Sequence, residues 1–345
     1  MGAPSPSSAS PPSLETPGPS SASPTATPSV APTETSTAAP TTPPTATATA
    51  VPPTAPAPAL SSVVRARHSG VWDGDTLVPE ALKAMLDAAI TALTGLDEAQ
   101  TAWALLFDPG ERIAIKVNTI ASSAFWTHVP LVLAVAQRLQ TSGVPPEQIV
   151  IFDRDSGELA DAGFPINPDG PGVRCDGTDG RYTGGWAIMD EEVGLSDVLL
   201  NCDALINMPI LKEHGMSGIS FAMKNHYGTF DRPGRFHTGR MERGIAELNA
   251  LSAIKDRTRL IIGDALAIVR RGWGSAAIGD SLFMSFDPVA HDTAGLQLYA
   301  EVMTGEGINP DREAQLARTW LDFGAELGLG TSDPDGIAWV EVQAE

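Results

Sequence analysis

Basic and imidazole side chains are concentrated in one short stretch, residues 211–228, which reads LKEHGMSGISFAMKNHYG. It contains Lys212, His214, Lys224 and His226, in a chain that has only five lysines and six histidines. Ammonium groups attract anions, and histidine transfers protons near neutral pH because its unperturbed pKa is about 6.5. The stretch therefore predicts an enzyme-like site for a small anionic ligand, with Lys212, His214 and His226 as its catalytic groups.

A glycine-flanked segment, GMSGIS at residues 215–220, follows Lys212 within this stretch. If a helix begins at Ser217, its unpaired N–H groups and positive end suit a phosphate or carboxylate. On this interpretation Ser217 and Gly218 bind the ligand. The alternative is that Ser217 is an ordinary N-cap and that the glycines permit close contacts.

Five short apolar runs predict the strands that position these residues. Their nearly continuous apolarity is typical of strands buried on both faces, as in a parallel sheet. The runs are residues 113–118, 149–153, 204–208, 259–264 and 282–287, and residues 63–67 predict an edge strand. Helical patterns lie around them, at residues 79–93, 97–107, 130–140, 195–200, 217–223, 245–254 and 288–302. This alternation predicts an open, mostly parallel, doubly wound α/β sheet with helices on both faces.

Polar side chains follow the predicted strands, and ligands bind outside the carboxyl ends of strands in such sheets. The expected ligand-binding residues are Lys116, Asn118, Asn207, Ser217, Gly218, Lys224, Asn225 and His237. The carboxylates expected to hold a divalent metal are Asp153, Asp264 and Asp292. Aspartates at strand ends also commonly accept backbone N–H groups, so a purely structural role stays open for each. No P-loop, H-E-x-x-H or G-x-S-x-G pattern occurs, so no short signature narrows the reaction.

Residues 1–60 differ sharply in composition from the rest of the chain. They hold 16 of the 29 prolines, no aromatic residue and no lysine or arginine. Such a Pro/Ser/Thr/Ala-rich segment offers too little apolar surface to fold, so we expect a disordered tether before a single α/β domain at residues 61–345.

All 22 basic residues and 40 of the 42 acidic ones lie beyond residue 60, which gives that part a formal charge of −18. No basic run exists, so nucleic acid is not an expected partner. No apolar stretch reaches the length of about 20 residues that a transmembrane helix needs.

The tether also bears on location. Ser/Thr/Pro-rich spacers commonly attach exported domains to a bacterial surface, and a Met followed by GAPSPSS is what would remain after a lipoprotein signal and its lipid-bearing cysteine were replaced. We expect an extracytoplasmic, envelope-tethered protein, with a cytoplasmic protein carrying a flexible extension as the alternative.

Longer motifs resemble the prokaryotic family named domain of unknown function 362. They are CDALINMPILKEHGMSGISFAMKNHYGTF at residues 202–230, RFHTGR, AELNAL, RLIIGDAL and SFDPVAHDTAG, with IAIKVN, THVPLVLAV, LQTSGVPPEQIVIFDR and GPGVRC upstream. The resemblance spans about residues 63–302. It implies an α/β domain that is frequently exported and in some members is joined to ferredoxin-like iron–sulfur segments. It implies no particular reaction.

Cys175 and Cys202 are the only cysteines, and whether they pair stays open. Two cysteines cannot hold a four-cysteine cluster, so no self-contained iron–sulfur cluster is expected. A redox role would need a separate electron-transfer partner. A surface-tethered binding module without catalysis, and a partner domain of an iron–sulfur protein, therefore remain alternatives to an enzyme.

Overall fold

The computed structural model describes residues 60–120, 125–237, 239–270 and 276–345, and all of them belong to one compact unit. The predicted tether, apart from its last residue, lies outside the described residues. Within these ranges, no helix is both long enough and apolar enough to cross a bilayer.

Fourteen strands are described, most of them in one sheet. They are β1 (Ser61–Arg67), β2 (Trp72–Asp73), β3 (Thr76–Leu77), β4 (Ile113–Lys116), β5 (Ile149–Asp153), β6 (Arg174–Gly177), β7 (Tyr182–Ile188), β8 (Glu191–Ser196), β9 (Ala204–Asn207), β10 (Ile210–His214), β11 (Gly218–Ser220), β12 (Thr258–Val269), β13 (Ala276–Ser285) and β14 (Ile337–Gln343). The ten-stranded sheet runs β14-β1-β13-β12-β9-β4-β5-β6, and the β10–β11 hairpin joins it through β12.

The helices connect and cover these strands. They are α1 (Pro79–Thr94), α2 (Ala99–Leu106), α3 (Val129–Thr141), α4 (Ser156–Asp161), α5 (Asp197–Leu200), α6 (Ala222–Asn225), α7 (Met241–Ala250), α8 (Ser252–Lys255), α9 (Pro288–Gly305) and α10 (Asp311–Glu326). Single 3₁₀ turns occupy Pro146–Gln148, His226–Gly228, Pro233–Phe236 and Pro334–Gly336.

Both faces of the sheet are covered, as β4 illustrates. Ile113 and Ile115 join a hydrophobic core that includes residues of α1 and α3, whereas Ala114 between them joins a second core with α7, α9 and α10. Because successive side chains of a strand point to opposite faces, these two cores lie on opposite sides of the sheet. The mostly parallel α/β sheet with helices on both faces is confirmed.

Two strands differ from the prediction in direction or position. The run at residues 282–287 belongs to β13, which pairs antiparallel with β12 rather than parallel. Only six residues separate these two strands, and a parallel connection needs a crossover of a dozen or more. The predicted edge strand, β1, lies inside the sheet between β13 and β14.

The helix predicted from Ser217 is wrong. Gly218–Ser220 instead forms β11, which pairs antiparallel with Lys212–His214 of β10. Gly218 has φ +78°, a left-handed conformation that glycine adopts without strain, and Ile219 is buried in the core. A tight hairpin therefore replaces the helix start that would have bound an anion.

The two cysteines do not pair. Cys175 on β6 and Cys202 before β9 are both free and buried, and burial raises the pKa of each thiol to about 12. Neither thiol is therefore ionised near neutral pH.

Candidate functional site

Adjacent parallel strands bring a lysine and an aspartate together at their carboxyl ends. Lys116 ends β4 and Asp153 ends β5, and Lys116 Nζ lies 2.7 Å from Asp153 Oδ1. Asp153 Oδ2 also accepts hydrogen bonds from Thr119 N at 2.7 Å and from Thr119 Oγ1 at 2.9 Å. Burial lowers the pKa of Lys116 and the Asp153 charge opposes that shift. The pair is thus held by the fold, with its charges balanced internally.

A chain of side-chain amides extends from this ion pair. Asn118 Nδ2 donates to Asn225 Oδ1 at 3.1 Å, and Asn225 Nδ2 donates to Asn207 Oδ1 at 2.7 Å. Asn207 Nδ2 donates to Ala222 O at 2.8 Å and contacts His226 Nε2 at 3.2 Å. Three predicted ligand-binding asparagines therefore position one another. Buried amides that are satisfied in this way make a rigid support.

Lys212, on β10, points its ammonium group at one end of this amide chain. Lys212 Nζ donates to Asn118 Oδ1 at 2.6 Å, to Ile120 O at 2.9 Å and to Phe125 O at 3.4 Å. Burial lowers the pKa of Lys212 to about 8, with the Asp153 charge opposing the shift. These three oxygen atoms help to hold the ammonium group in place.

Lys224, on α6, is surrounded differently. Its Nζ lies 3.5 Å from the centroid of the Tyr227 ring and 3.4 Å from His237 Nε2. Over the described ranges it forms no ion pair, although only 5% of the residue is exposed. Burial, with a further effect of the Lys212 charge, lowers its pKa to about 7.

Hydrogen bonds fix the neutral forms of two histidines beside these lysines. His214 Nδ1 accepts from the backbone N–H groups of Met216 and Ser217, at 3.3 and 3.2 Å, so Nε2 carries the hydrogen. His237 Nδ1 lies 2.8 Å from Pro233 O and must donate to it, which leaves Nε2 as an acceptor towards Lys224. Burial and neighbouring positive charges lower the pKa of His214 to about 3, and burial also lowers that of His237.

These side chains line one cavity of about 290 Å³ at the carboxyl ends of β4 and β5. The predicted site residues that line it are Lys116, Asn118, Asp153, Lys212, His214, Lys224, Asn225 and His237. Further lining residues, which the sequence did not single out as site residues, are Ile120, Arg154, Glu158, Ser220, Tyr227, Gly228, Pro233 and Gly234. Arg154 could have been predicted as a site residue, because it follows Asp153 directly at a strand end. Tyr227 could not, because the sequence does not distinguish a single aromatic residue after a histidine from a core residue.

Two predicted residues, Asn207 and His226, line a neighbouring cavity of about 230 Å³ instead. His226 is buried, and among the described residues its Nδ1 has no hydrogen-bond partner. Burial lowers the pKa of His226 to about 3, with a smaller effect of the Lys116 charge. The structure therefore separates His226 from the cavity that holds His214.

Ser217 and Gly218 do not line the 290 Å³ cavity. Ser217 Oγ donates to Ile219 O at 2.8 Å, and Gly218 lies so close to α10 that an added Cβ would be 2.0 Å from Glu313 O. Both residues shape the β10–β11 hairpin, and their contact with a ligand stays a prediction.

Asp264 and Asp292 do not line the cavity that contains Asp153, so the assignment of these three aspartates as metal ligands stays a prediction. Asp264 Oδ2 accepts hydrogen bonds from His128 N and Nδ1, both at 2.8 Å. Burial lowers the pKa of His128, but the Asp264 carboxylate outweighs it and the net shift is upward. Asp292 instead accepts the backbone N–H groups of Ala222 and Met223 at 2.8 Å, at the start of α6. In the described ranges no three His, Cys, Asp or Glu side chains form a metal-ligating group.

Gly228 allows the backbone to lie directly against the buried ion pair. An added Cβ would be 2.5 Å from Asp153 Oδ1 and 2.7 Å from Lys116 Nζ. The 3₁₀ turn His226–Gly228 can therefore lie this close to the ion pair only with glycine at residue 228. Beyond it, Phe230 and Phe236 pack edge-on against each other, and Phe230 packs against Tyr227.

The model of the family named domain of unknown function (DUF362) matches residues 113–297, which contain every residue lining the cavity. The chain belongs to this family. No curated protein matches this DUF362 member.

Two solved structures are similar at low identity. The lactate racemase apoprotein from Thermoanaerobacterium thermosaccharolyticum is 10% identical with a TM-score of 0.39, over 64% of this chain and 55% of that one. A structural-genomics protein from Thermotoga maritima is 13% identical with a TM-score of 0.34, over 72% of this chain and 60% of that one. The DUF362 chain thus spans somewhat more than half the length of each.

Proposed function

We propose that the 290 Å³ cavity binds a small anionic molecule and is an enzyme-like site. The observation that carries the proposal is the presence of Lys212 and Lys224, both buried, in the lining of a single cavity. Three of the five lysines of this acidic chain line that cavity. Lysines that serve only to solvate the surface would not need to be concentrated in one cavity.

Charge compensation gives the physical reason. The charge of Lys116 is balanced by Asp153, and that of Arg154 by Glu158 at 2.8 Å. Burial lowers the pKa of Lys224, and the Lys212 charge lowers it further. Burial also lowers the pKa of His214, and the Lys224 charge adds to that shift. A carboxylate or phosphate between Lys212 and Lys224 would offset both effects, because opposite charges attract strongly at a site shielded from water.

The two cavity histidines support proton transfer to or from such a ligand. The hydrogen on His214 Nε2 makes it a donor, while His237 Nε2 is an acceptor. His237 Nε2 can therefore accept a proton from a bound ligand, whereas the neutral His214 can donate a hydrogen bond to that ligand.

Calorimetric titration with oxalate and with inorganic phosphate tests the proposal. We expect saturable binding of at least one of them by the full chain, and its loss in Lys224→Met, which keeps the side-chain volume and removes the charge. Lys83→Met is the control, since Lys83 is half-exposed and pairs only with Glu80 in the described structure. Absence of binding by the folded wild-type protein, or equal binding by Lys224→Met, would refute the proposal.

The composition of residues 1–60 supports display of this site outside the cytoplasm, either as an enzyme or as a binding module without turnover. Fractionation of cells that express the complete native gene tests the location. Recovery of the protein in the soluble cytoplasmic fraction alone would contradict it.

A further inference from the structure

The three cavity lysines differ in how their N–H groups are used. Lys116 Nζ donates to Val117 O at 2.7 Å, pairs with Asp153 and approaches Asn225 Oδ1 at 3.4 Å. Lys212 Nζ has the three oxygen acceptors described above. An ammonium group has three hydrogens, so in both of these lysines each hydrogen of the protonated form has an oxygen acceptor.

Lys224 lacks such acceptors in the described structure. Its contacts are one imidazole nitrogen, His237 Nε2, and the face of Tyr227. If Lys224 transferred one proton to His237, it would become a neutral amine. No acceptor or donor of the described structure would then bind its lone pair. Its place in the cavity lining makes that amine accessible to a bound molecule.

We propose that Lys224 is an amine nucleophile that forms an imine with the carbonyl carbon of a small 2-oxo acid bound in this cavity. The inference rests on the anion binding proposed above and names the class of the anion. The ammonium form of Lys212 attracts the carboxylate, and Lys224 reacts with the adjacent carbonyl group.

The reaction balances with the groups present. His237 Nε2 accepts a proton from the Lys224 ammonium, and the amine lone pair then attacks the carbonyl carbon. One of the remaining N–H protons passes to the carbonyl oxygen, which gives a carbinolamine. The imidazolium returns the proton to the carbinolamine hydroxyl, water leaves, and a C=N bond remains. The net change is ammonium plus carbonyl giving a protonated imine plus water, without oxidation or reduction.

The electrostatic surroundings agree with this assignment. Burial and the charge of Lys212 lower the pKa of Lys224 to about 7, so a substantial fraction is neutral amine near neutral pH. The Tyr227 ring acts in the opposite direction, because an aromatic face attracts the ammonium form. This attraction favours the position of Nζ above the ring, 3.5 Å from its centroid.

Reductive trapping tests the proposal. The full chain is incubated with pyruvate or glyoxylate and sodium cyanoborohydride, and the modified residue is located by peptide mass spectrometry. We expect one adduct per chain, at Lys224. Lys224→Arg should lose this adduct because guanidinium does not deprotonate. Lys83→Arg should retain it.

The outcomes separate this inference from the anion-binding proposal. Oxalate has no ketone or aldehyde carbon and reports binding alone. Oxalate binding without an adduct at Lys224 would overturn the nucleophile and leave the anion site standing. Adducts spread equally over Lys83, Lys255 and Lys224 would also overturn it. Failure of oxalate, phosphate and pyruvate to bind would remove both proposals.

Discussion

Lys116 Nζ and Asp153 Oδ1 lie 2.7 Å apart at the ends of two adjacent parallel strands, and both side chains are buried. In the register of β4 and β5, Lys116 stands opposite Phe152, one residue before Asp153. The same strand pairing that builds the sheet therefore sets the position of the ion pair. It forms the inner wall of the cavity and carries no net charge of its own.

Removing the lysine should strongly destabilise the protein. In Lys116→Met the Asp153 carboxylate stays buried with only Thr119 and backbone donors, and breaking a buried pair costs about 3–5 kcal/mol. Urea unfolding followed by circular dichroism measures this. Lys83→Met, at a half-exposed surface pair, should change the free energy of unfolding by no more than about 0.5 kcal/mol. Equal values for the two variants would show that the buried pair contributes no more than a surface pair.

Gly228→Ala should distort the ion pair by adding one methyl group. The new Cβ would lie 2.5 Å from Asp153 Oδ1, and overpacking of this kind costs about 1–3 kcal/mol. Gly234→Ala is the matched control, because Gly234 lines the same cavity and its added Cβ would meet nothing within 4 Å. The melting temperatures of the two variants are compared by thermal unfolding. If Gly228→Ala is as stable as Gly234→Ala, the neighbouring side chains move to accept the methyl group at little cost.

Anion binding should weaken as the pH rises. The pKa values of Lys224 and Lys212 are lowered to about 7 and about 8, so the cavity loses positive charge across this interval. His214 and His237, whose pKa values are lowered, stay neutral there and do not reverse the trend. Oxalate titrations in two buffers of different ionisation enthalpy should show proton uptake on binding near pH 8.

Lys224→Arg provides the control for that pH dependence. Because arginine stays protonated throughout this range, its oxalate affinity should fall less steeply than that of the wild type. An unchanged wild-type affinity between about pH 6 and pH 9 would exclude these lysines as the titrating groups.

Gly218→Ala tests the structural role of the β10–β11 hairpin. Its added Cβ would lie 2.0 Å from Glu313 O in α10, in addition to the strain of φ +78°. Gly74→Ala has a similar φ of +59° but meets nothing within 4 Å, so it isolates the conformational strain of about 1 kcal/mol. We expect a markedly larger loss of thermal stability in Gly218→Ala. Equal losses would show that the contact with α10 adjusts without cost.

Strand ends were the most predictable part of the molecule. Lys116, Asp153 and Asn207 were assigned to one edge because each follows a continuous apolar run, and parallel strands end at a common edge. Their register confirms this, since Lys116 pairs with Asn207. A strand buried on both faces appears in the sequence as a continuous apolar run. The end of each run therefore predicts the position of the site residues at the strand end.

The direction of β13 and the β10–β11 hairpin could not be obtained in the same way. Residues 282–287 are as apolar as a parallel strand, because β13 is also buried within the sheet. Residues 217–223 look like a helix start, yet Ile219 and Phe221 enter a core built partly by α10, about a hundred residues later. The partners of Asp264 and Asp292 could not be predicted for a related reason: His128 and the start of α6 are distant from them in sequence.

The pairing of β1 with β14 means that the sheet cannot be completed until the last strand has been synthesised. β1 is translated long before β14, yet the two strands lie side by side along seven residue pairs, from Ser61 with Ile337 to Arg67 with Gln343. Until the ribosome has released the last strand, β1 has an open hydrogen-bonding edge that can recruit strands from other nascent chains. Shortened chains that end before residue 337 should consequently aggregate, even though every residue of the cavity is present in them.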